Sequence, residues 1–117
     1  FLLCGLIEPK TVNVFGKQTL TLLSQMRFDT AFMGTNCIHQ AEGLTVHYEY
    51  GADSKAQAIR NAKTAYVLAD CSKFNILCLH KFADLKDVTI ITDKPNPSFD
   101  YTQLNSVVFS ESLSDAC

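Results

Sequence analysis

Hydrophobic residues in this chain come in short runs that stop abruptly at polar or small residues. Residues 65–69, Ala-Tyr-Val-Leu-Ala, are followed at once by Asp70, Ser72 and Lys73. An unbroken apolar run of that length suits a buried parallel strand that delivers an acid and a base to the carboxyl edge of a sheet. Residues 29–33 repeat the pattern and run into Gly34, Thr35 and Asn36, while Val88 to Thr92 run into Asp93 and Lys94. Ligands of open α/β sheets bind at that edge. The first two strand ends, rich in small and polar residues, therefore predict one ligand crevice.

Between these runs the periodicity changes. Phe1 to Leu3 and the alternation Val12-Asn13-Val14 predict two strands around a turn at Glu8-Pro9-Lys10. Leu20, Leu23 and Met26 fall at helical spacing after Gly16 and predict a helix closing near Arg27. Residues 34–43 read as a loop bounded by Gly34 and Gly43. Residues 52–64 are rich in helix formers, with Asp53 or Ser54 as the cap, and Ala58, Ile59 and Ala62 give that helix a narrow face that fits close to a sheet. Pro95 and Pro97 break the chain, a short helix is expected around Asp100 to Leu104, and Val107 to Phe109 make a last strand. Strands alternating with helices predict an α/β fold, a mainly parallel sheet with flanking helices.

Composition narrows the class. A chain of 117 residues is one domain or part of one; 47% hydrophobic residues support a real core and 19% charged residues argue against disorder. A net charge of −2 offers no broad pull on nucleic acid. No apolar stretch approaches the ~20 residues that span a bilayer, and the opening apolar run lacks the basic flank of a signal peptide. Because the chain opens on Phe1 inside an apolar run, it is expected to be a fragment of a longer polypeptide. Cys4, Cys37, Cys71, Cys78 and Cys117 form no C-x-x-C pair, which favours reduced thiols in a cytoplasmic protein over a disulfide framework. His39, His47 and His80 are scattered, so no metal site or cofactor is expected. There is no G-x-S-x-G motif and no P-loop.

The ordered series Gly16, Asp29-Thr-Ala-Phe-Met-Gly34, Gly43-Leu44-Thr45, Lys55, Leu68-Ala-Asp70-Cys-Ser-Lys73-Phe74 and Ile90-Ile-Thr-Asp93 resembles the effector-sensing domain of DeoR-family transcriptional repressors. It spans roughly residues 1–95. The motifs at 70–74 and 90–93 carry the specificity; the isolated glycines do not. The resemblance implies a fold similar to ribose-5-phosphate isomerase and glucosamine-6-phosphate deaminase, truncated at its amino terminus. It also implies a homo-oligomer whose amino-terminal winged helix-turn-helix, missing here with the family's Gly/Thr-rich phosphate loop, binds operator DNA. The whole chain, 1–117, then reads as the sugar-phosphate-sensing domain of a repressor of a sugar-utilisation operon. Cys4 and Cys37 stand where the family commonly has glycine, and Cys71 where serine is usual.

Ribose-5-phosphate isomerase is similar over the same two strands, and its catalytic carboxylates fall here at Met33, at Asn36 and at or beside Lys55. None of these is a carboxylate base, which aldose–ketose isomerisation needs. Binding without turnover is expected, and the chain is read as a sensor and not an enzyme. A phosphosugar isomerase or deaminase is the alternative. Lys55 and Lys73 are candidate phosphate donors, Gly34, Thr35 and Asn36 a backbone that a ligand can approach closely, and Asp70 an acceptor for sugar hydroxyls. Each has a plainer reading: Asp70 and Lys73 as a cap or as a mutual pair, Lys55 as a solvated residue, Asn36 as a turn former, and Gly34 and Gly43 as loop punctuation. Asp93 and Lys94 read as a strand-end turn. His39 and Glu42 lie in the loop after the first site strand, placed to select the effector.

Overall fold

The computed structural model describes residues 5–7, 9–10 and 14–110. In chain order, β1 (Leu6–Ile7) pairs antiparallel with β2 (Val14–Phe15), α1 covers Lys17–Ser24, and β3 covers Phe28–Gly34. A hairpin follows, β4 (Cys37–His39) and β5 (Gly43–Val46), then α2 (Glu49–Arg60) and β6 (Ala62–Leu68). A 3₁₀ turn at Cys71–Lys73 leads to β7 (His80–Ala83), a second at Leu85–Asp87 to β8 (Thr89–Thr92), and a third at Tyr101–Gln103 to β9 (Val107–Phe109). Strands β3-β6-β8-β9 form one wholly parallel sheet, and β4-β5-β7 a smaller antiparallel one.

The four-stranded sheet agrees with the expected parallel α/β architecture. The expected strand at 1–3 lies outside the described residues, and that at 12–14 is described only from Val14. α1 stops at Ser24, short of Arg27, with Gln25 at its C-cap, and the guanidinium of Arg27 donates to the carbonyls of Ser24 and Met26 beyond it. α2 starts at Glu49, three residues before the expected start, with Tyr48 as an N-cap that makes no side-chain hydrogen bond. Ser54 lies inside the helix and returns its hydroxyl to the Tyr50 carbonyl. The helix stops at Arg60, and Asn61 alone separates it from β6. The Asn61 amide donates to the Leu23 carbonyl at 2.7 Å and its carbonyl accepts the Phe28 N–H at 2.9 Å. One residue thus ties the end of α1 to the start of β3.

The presumed loop 34–43 contains strand β4, and β7 has no counterpart among the expected strands. Cys37, Ile38, Leu44 and Val46 are all buried, so β4 and β5 lack the half-polar alternation that marks an exposed hairpin. Gly43 is required at their turn. Its φ is +89°, and a Cβ there would stand 2.5 Å from the Ala83 carbonyl oxygen.

The core lies between the two sheets and α2. Ala65, Val67 and Ile90 of the parallel sheet meet Ile38, Leu44, Val46 and Ala52, and Phe74 and Phe99 close the end with ring centroids 4.8 Å apart. The opposite face of the sheet is open, leaving Phe32 66% and Leu68 47% exposed, with Phe32 stacked on Tyr66. The expectation of reduced thiols is corrected at Cys37, Cys71 and Cys78, all three of which are disulfide-bonded. Cys37 and Cys78 form a disulfide with Cα atoms 5.9 Å apart, within the usual span, because the β4–β5 hairpin brings β4 beside the segment that enters β7.

Candidate functional site

Parallel register places Gly34 beside Leu68 and Leu68 beside Ile91, so the carboxyl ends of β3, β6 and β8 lie side by side. Two cavities open at this edge and share one wall residue, Thr35. Lobe 1, about 270 Å³, is lined by Gly34, Thr35, Asn36, Lys55 and the first turn of α2. Lobe 2, about 400 Å³ and more open, is lined by Thr35, Asp70, Lys73, Asp93 and the strand ends Leu68–Ala69 and Ile91–Thr92. The six residues singled out in the sequence line these two cavities: Gly34, Asn36 and Lys55 the first, Asp70 and Lys73 the second, with Thr35 shared by both.

Thr35 is held firmly. Its hydroxyl lies 3.0 Å from the Thr45 carbonyl and 3.2 Å from that of Cys37, which fixes the partition to the hairpin behind it. The Asn36 side-chain oxygen accepts the His47 N–H at 3.2 Å, so the residue is both a turn anchor and part of the lobe 1 wall. Lys55 projects from the second turn of α2 into lobe 1 with its ammonium group partly buried, and that burial pushes its pKa below the ordinary lysine range. Among the described residues the ion pairs are Lys63–Asp29 and Lys81–Asp84, so neither Lys55 nor Lys73 is neutralised by one.

The two carboxylates of lobe 2 share one arrangement. Asp70 Oδ1 accepts the hydroxyl and the backbone N–H of Ser72, capping the 3₁₀ turn, and these bonds hold its pKa below the usual carboxylate range. Asp93 Oδ1 accepts the N–H groups of Lys94 and Cys71, each at 2.9 Å, and its pKa is likewise lowered, the Lys94 bond first among the causes. Each acid is anchored through one oxygen while its residue lines the lobe. The cap reading of Asp70 holds together with its place in the cleft, whereas the ion pair with Lys73 does not form. Asp93 holds the strand-end turn through the Lys94 N–H and also lines lobe 2 with Asp70.

Two readings find other places. Met33, where the isomerase comparison puts a catalytic acid, packs against the hydrophobic core. His39 and Glu42 line neither lobe; His39 Nδ1 accepts the N–H groups of Ala41 and Glu42 and closes the hairpin turn. Lining residues absent from the sequence reading are Val46, Tyr48, Tyr50 and Gly51 in lobe 1 and Ser110 in lobe 2. The rings of Tyr48 and Tyr50 stack at 5.4 Å beside lobe 1, and Gly51 stands four residues before Lys55 on the same helix face. The spacing Gly51-to-Lys55 was the available signal, hidden by a helix start set too late. Among the described residues no group of three or more His, Cys, Asp or Glu is placed to hold a metal ion, and no helix is long and apolar enough to cross a membrane.

Comparison with known proteins agrees with this architecture. Residues 1–94 match the model of the DeoR C-terminal sensor domain. The chain is 41% identical over 109 residues to a protein of Bacillus subtilis described as an uncharacterized HTH-type transcriptional regulator, FruR, covering 92% of this chain and 43% of that protein. It is 31% identical over 101 residues to the HTH-type transcriptional repressor GlcR of the same organism, covering 85% of this chain and 39% of the relative. It is 30% identical over 95 residues to a putative aga operon transcriptional repressor of Escherichia coli, covering 80% and 35% respectively. The chain thus spans less than half the length of the curated relatives it matches. The DeoR C-terminal sensor domain family is the family to which this chain belongs.

Proposed function

We propose that the two-lobed cleft binds a phosphorylated sugar, and that its occupancy controls how a longer repressor, carrying an amino-terminal DNA-binding domain, holds its operator. One observation carries the reading: two lysines, neither with an ion-pair partner among the described residues, line two cavities that meet at Thr35 on the carboxyl edge of a parallel sheet. A sugar phosphate carries about two negative charges near neutral pH. It would exchange hydration for an ammonium group, backbone N–H groups of the first turn of α2, and the close approach that Gly34 and Gly51 permit. The sensing unit runs past the family match, because β9 lies beyond residue 94 yet pairs in register with β8.

Turnover is not part of this reading. The positions compared with an isomerase's acids carry Met33, Asn36 and Lys55, and the carboxylates that do line the cleft, Asp70 and Asp93, are held below the usual range. A carboxylate so stabilised in its charged form is a poor general base. Regulation needs only a ligand that prefers one arrangement of subunits, with coupling of ~1–3 kcal/mol. The homo-oligomer and the isomerase-like fold belong to the same proposal, as does the cytoplasmic setting.

Thermal melts of the purified protein with hexose and pentose phosphates test it. Saturable stabilisation that Lys55→Met and Lys73→Met each reduce is the expected result, together with no conversion of the sugar in a coupled assay. Equal melts with and without every phosphosugar would overturn the binding reading, and turnover above background would restore the isomerase or deaminase alternative.

A further inference from the structure

The two lobes differ in charge. Lobe 1 is lined by a single charged side chain, Lys55. Lobe 2 is lined by one lysine, Lys73, and two carboxylates, Asp70 and Asp93, which leaves an excess of one negative charge. We propose that the cleft selects a sugar with one phosphate, its charged end in the Lys55 lobe and its hydroxylated end against Asp70, Asp93 and Lys73, and that Asp93 and Asp70 reject a second phosphate there. This inference rests on the phosphosugar reading above.

The chemistry follows from the geometry. Asp70 is fixed by the hydroxyl and N–H of Ser72 acting on Oδ1, and Asp93 by three donors on the same oxygen: the N–H groups of Lys94 and Cys71 and the hydroxyl of Thr92. Acceptors fixed in this way suit sugar hydroxyls, which donate, and oppose a phosphate, whose oxygens are themselves anionic acceptors. Lys73 then serves a hydroxyl oxygen at the end where the acids accept hydroxyl protons. Thr35, pinned to the carbonyls of Cys37 and Thr45, sets the boundary between the charged and the hydroxylated parts of the ligand.

Calorimetric titration of the purified protein with matched pairs tests this. The pairs are fructose 6-phosphate with fructose 1,6-bisphosphate, glucose 6-phosphate with glucose 1,6-bisphosphate, and ribulose 5-phosphate with ribulose 1,5-bisphosphate. The bound monophosphate is expected to bind roughly tenfold tighter than its bisphosphate at low salt, a gap typical of one misplaced like-charge contact. Asp93→Asn keeps an oxygen acceptor for the Lys94 and Cys71 N–H groups and is expected to narrow that ratio at least ~threefold. Lys55→Met weakens both members of a pair. A second measurement needs no variant: raising ionic strength from about 0.01 M to about 1 M shortens screening from ~30 Å to ~3 Å and should compress the ratio toward one. A bisphosphate that binds as tightly as its monophosphate, or a ratio indifferent both to salt and to Asp93→Asn, overturns the inference while leaving phosphosugar binding intact. Absence of binding by every member of the panel overturns both.

Discussion

Replacing Lys55 by methionine separates a ligand-binding lysine from a structural one. The side chain of Lys55 is partly buried in lobe 1, it lacks an ion-pair partner among the described residues, and burial lowers its pKa. Since the folded value lies below the unfolded one, the unfolded state binds more protons between the two. Stability of the free protein should therefore rise as pH climbs through that alkaline window. Methionine has a similar volume without the charge, so the free variant is expected to melt at the same temperature or higher. Binding moves the other way. A hydrogen bond to a charged group is worth ~2 kcal/mol, which is roughly a 30-fold loss of affinity. At a ligand concentration ~100 times the wild-type Kd, stabilisation then falls from ~2.7 to ~0.9 kcal/mol. At ~4 °C per kcal/mol, the ligand-induced rise in Tm shrinks from ~11 °C to ~3.5 °C. Paired melts with and without a bound hexose or pentose phosphate measure both effects. A variant that binds as tightly as wild type, or a free variant destabilised by more than ~2 kcal/mol, would refute the reasoning.

Gly43→Ala forces a side chain into positive φ and sets its Cβ against the Ala83 carbonyl, so a urea melt should show a loss of ~2–4 kcal/mol; a loss under ~1 would contradict the account. In acid, Asp70, Asp84, Asp93 and Asp100 all keep folded pKa values below their unfolded ones, through hydrogen bonds from Ser72, Lys81, Lys94 and Thr102 respectively. Their contribution is complete above the ordinary value of ~3.9 and is lost as pH falls through the lowered values, so the melting midpoint should be level above about pH 5 and decline below about pH 4. A midpoint that rises on acidification through that range would contradict it. Lys73→Met should cost little stability, because Lys73 makes no ion pair among the described residues, yet should weaken phosphosugar binding; unchanged affinity would argue against its place in the site.

Strand ends that carry chemistry were the legible part of this sequence. The apolar run at 65–69 and its stop at Asp70 mark β6 and its carboxyl end, because a strand buried among parallel neighbours leaves an unbroken hydrophobic signature. The same held for Val88 to Thr92. Elements whose form depends on distant partners were not legible. β4 is three residues long and its ladder is supplied by β5, and β7 becomes a strand only by pairing with β5. Asp53 and Ser54 look like caps and point to a later start for α2, whereas the helix begins at Glu49, with Tyr48 at the N-cap and no side-chain cap hydrogen bond. That error hid Tyr48, Tyr50 and Gly51 from the site. Asp93 was visible as a residue but not as a partner of Asp70, since only the β6–β8 register brings the two strand ends together. The Cys37–Cys78 pair is likewise invisible, as a sequence separation of 41 carries no spacing signal.

Amide chemical-shift mapping during titration with a hexose or pentose phosphate addresses the cleft most directly. Saturable shifts concentrated at Gly34, Thr35, Asn36, Gly51, Lys55 and residues 70–73, with the open sheet face around Phe32 undisturbed, are the predicted result. Saturable binding whose shifts cluster away from both sides of Thr35 would contradict the claim that this two-lobed cleft is the effector site.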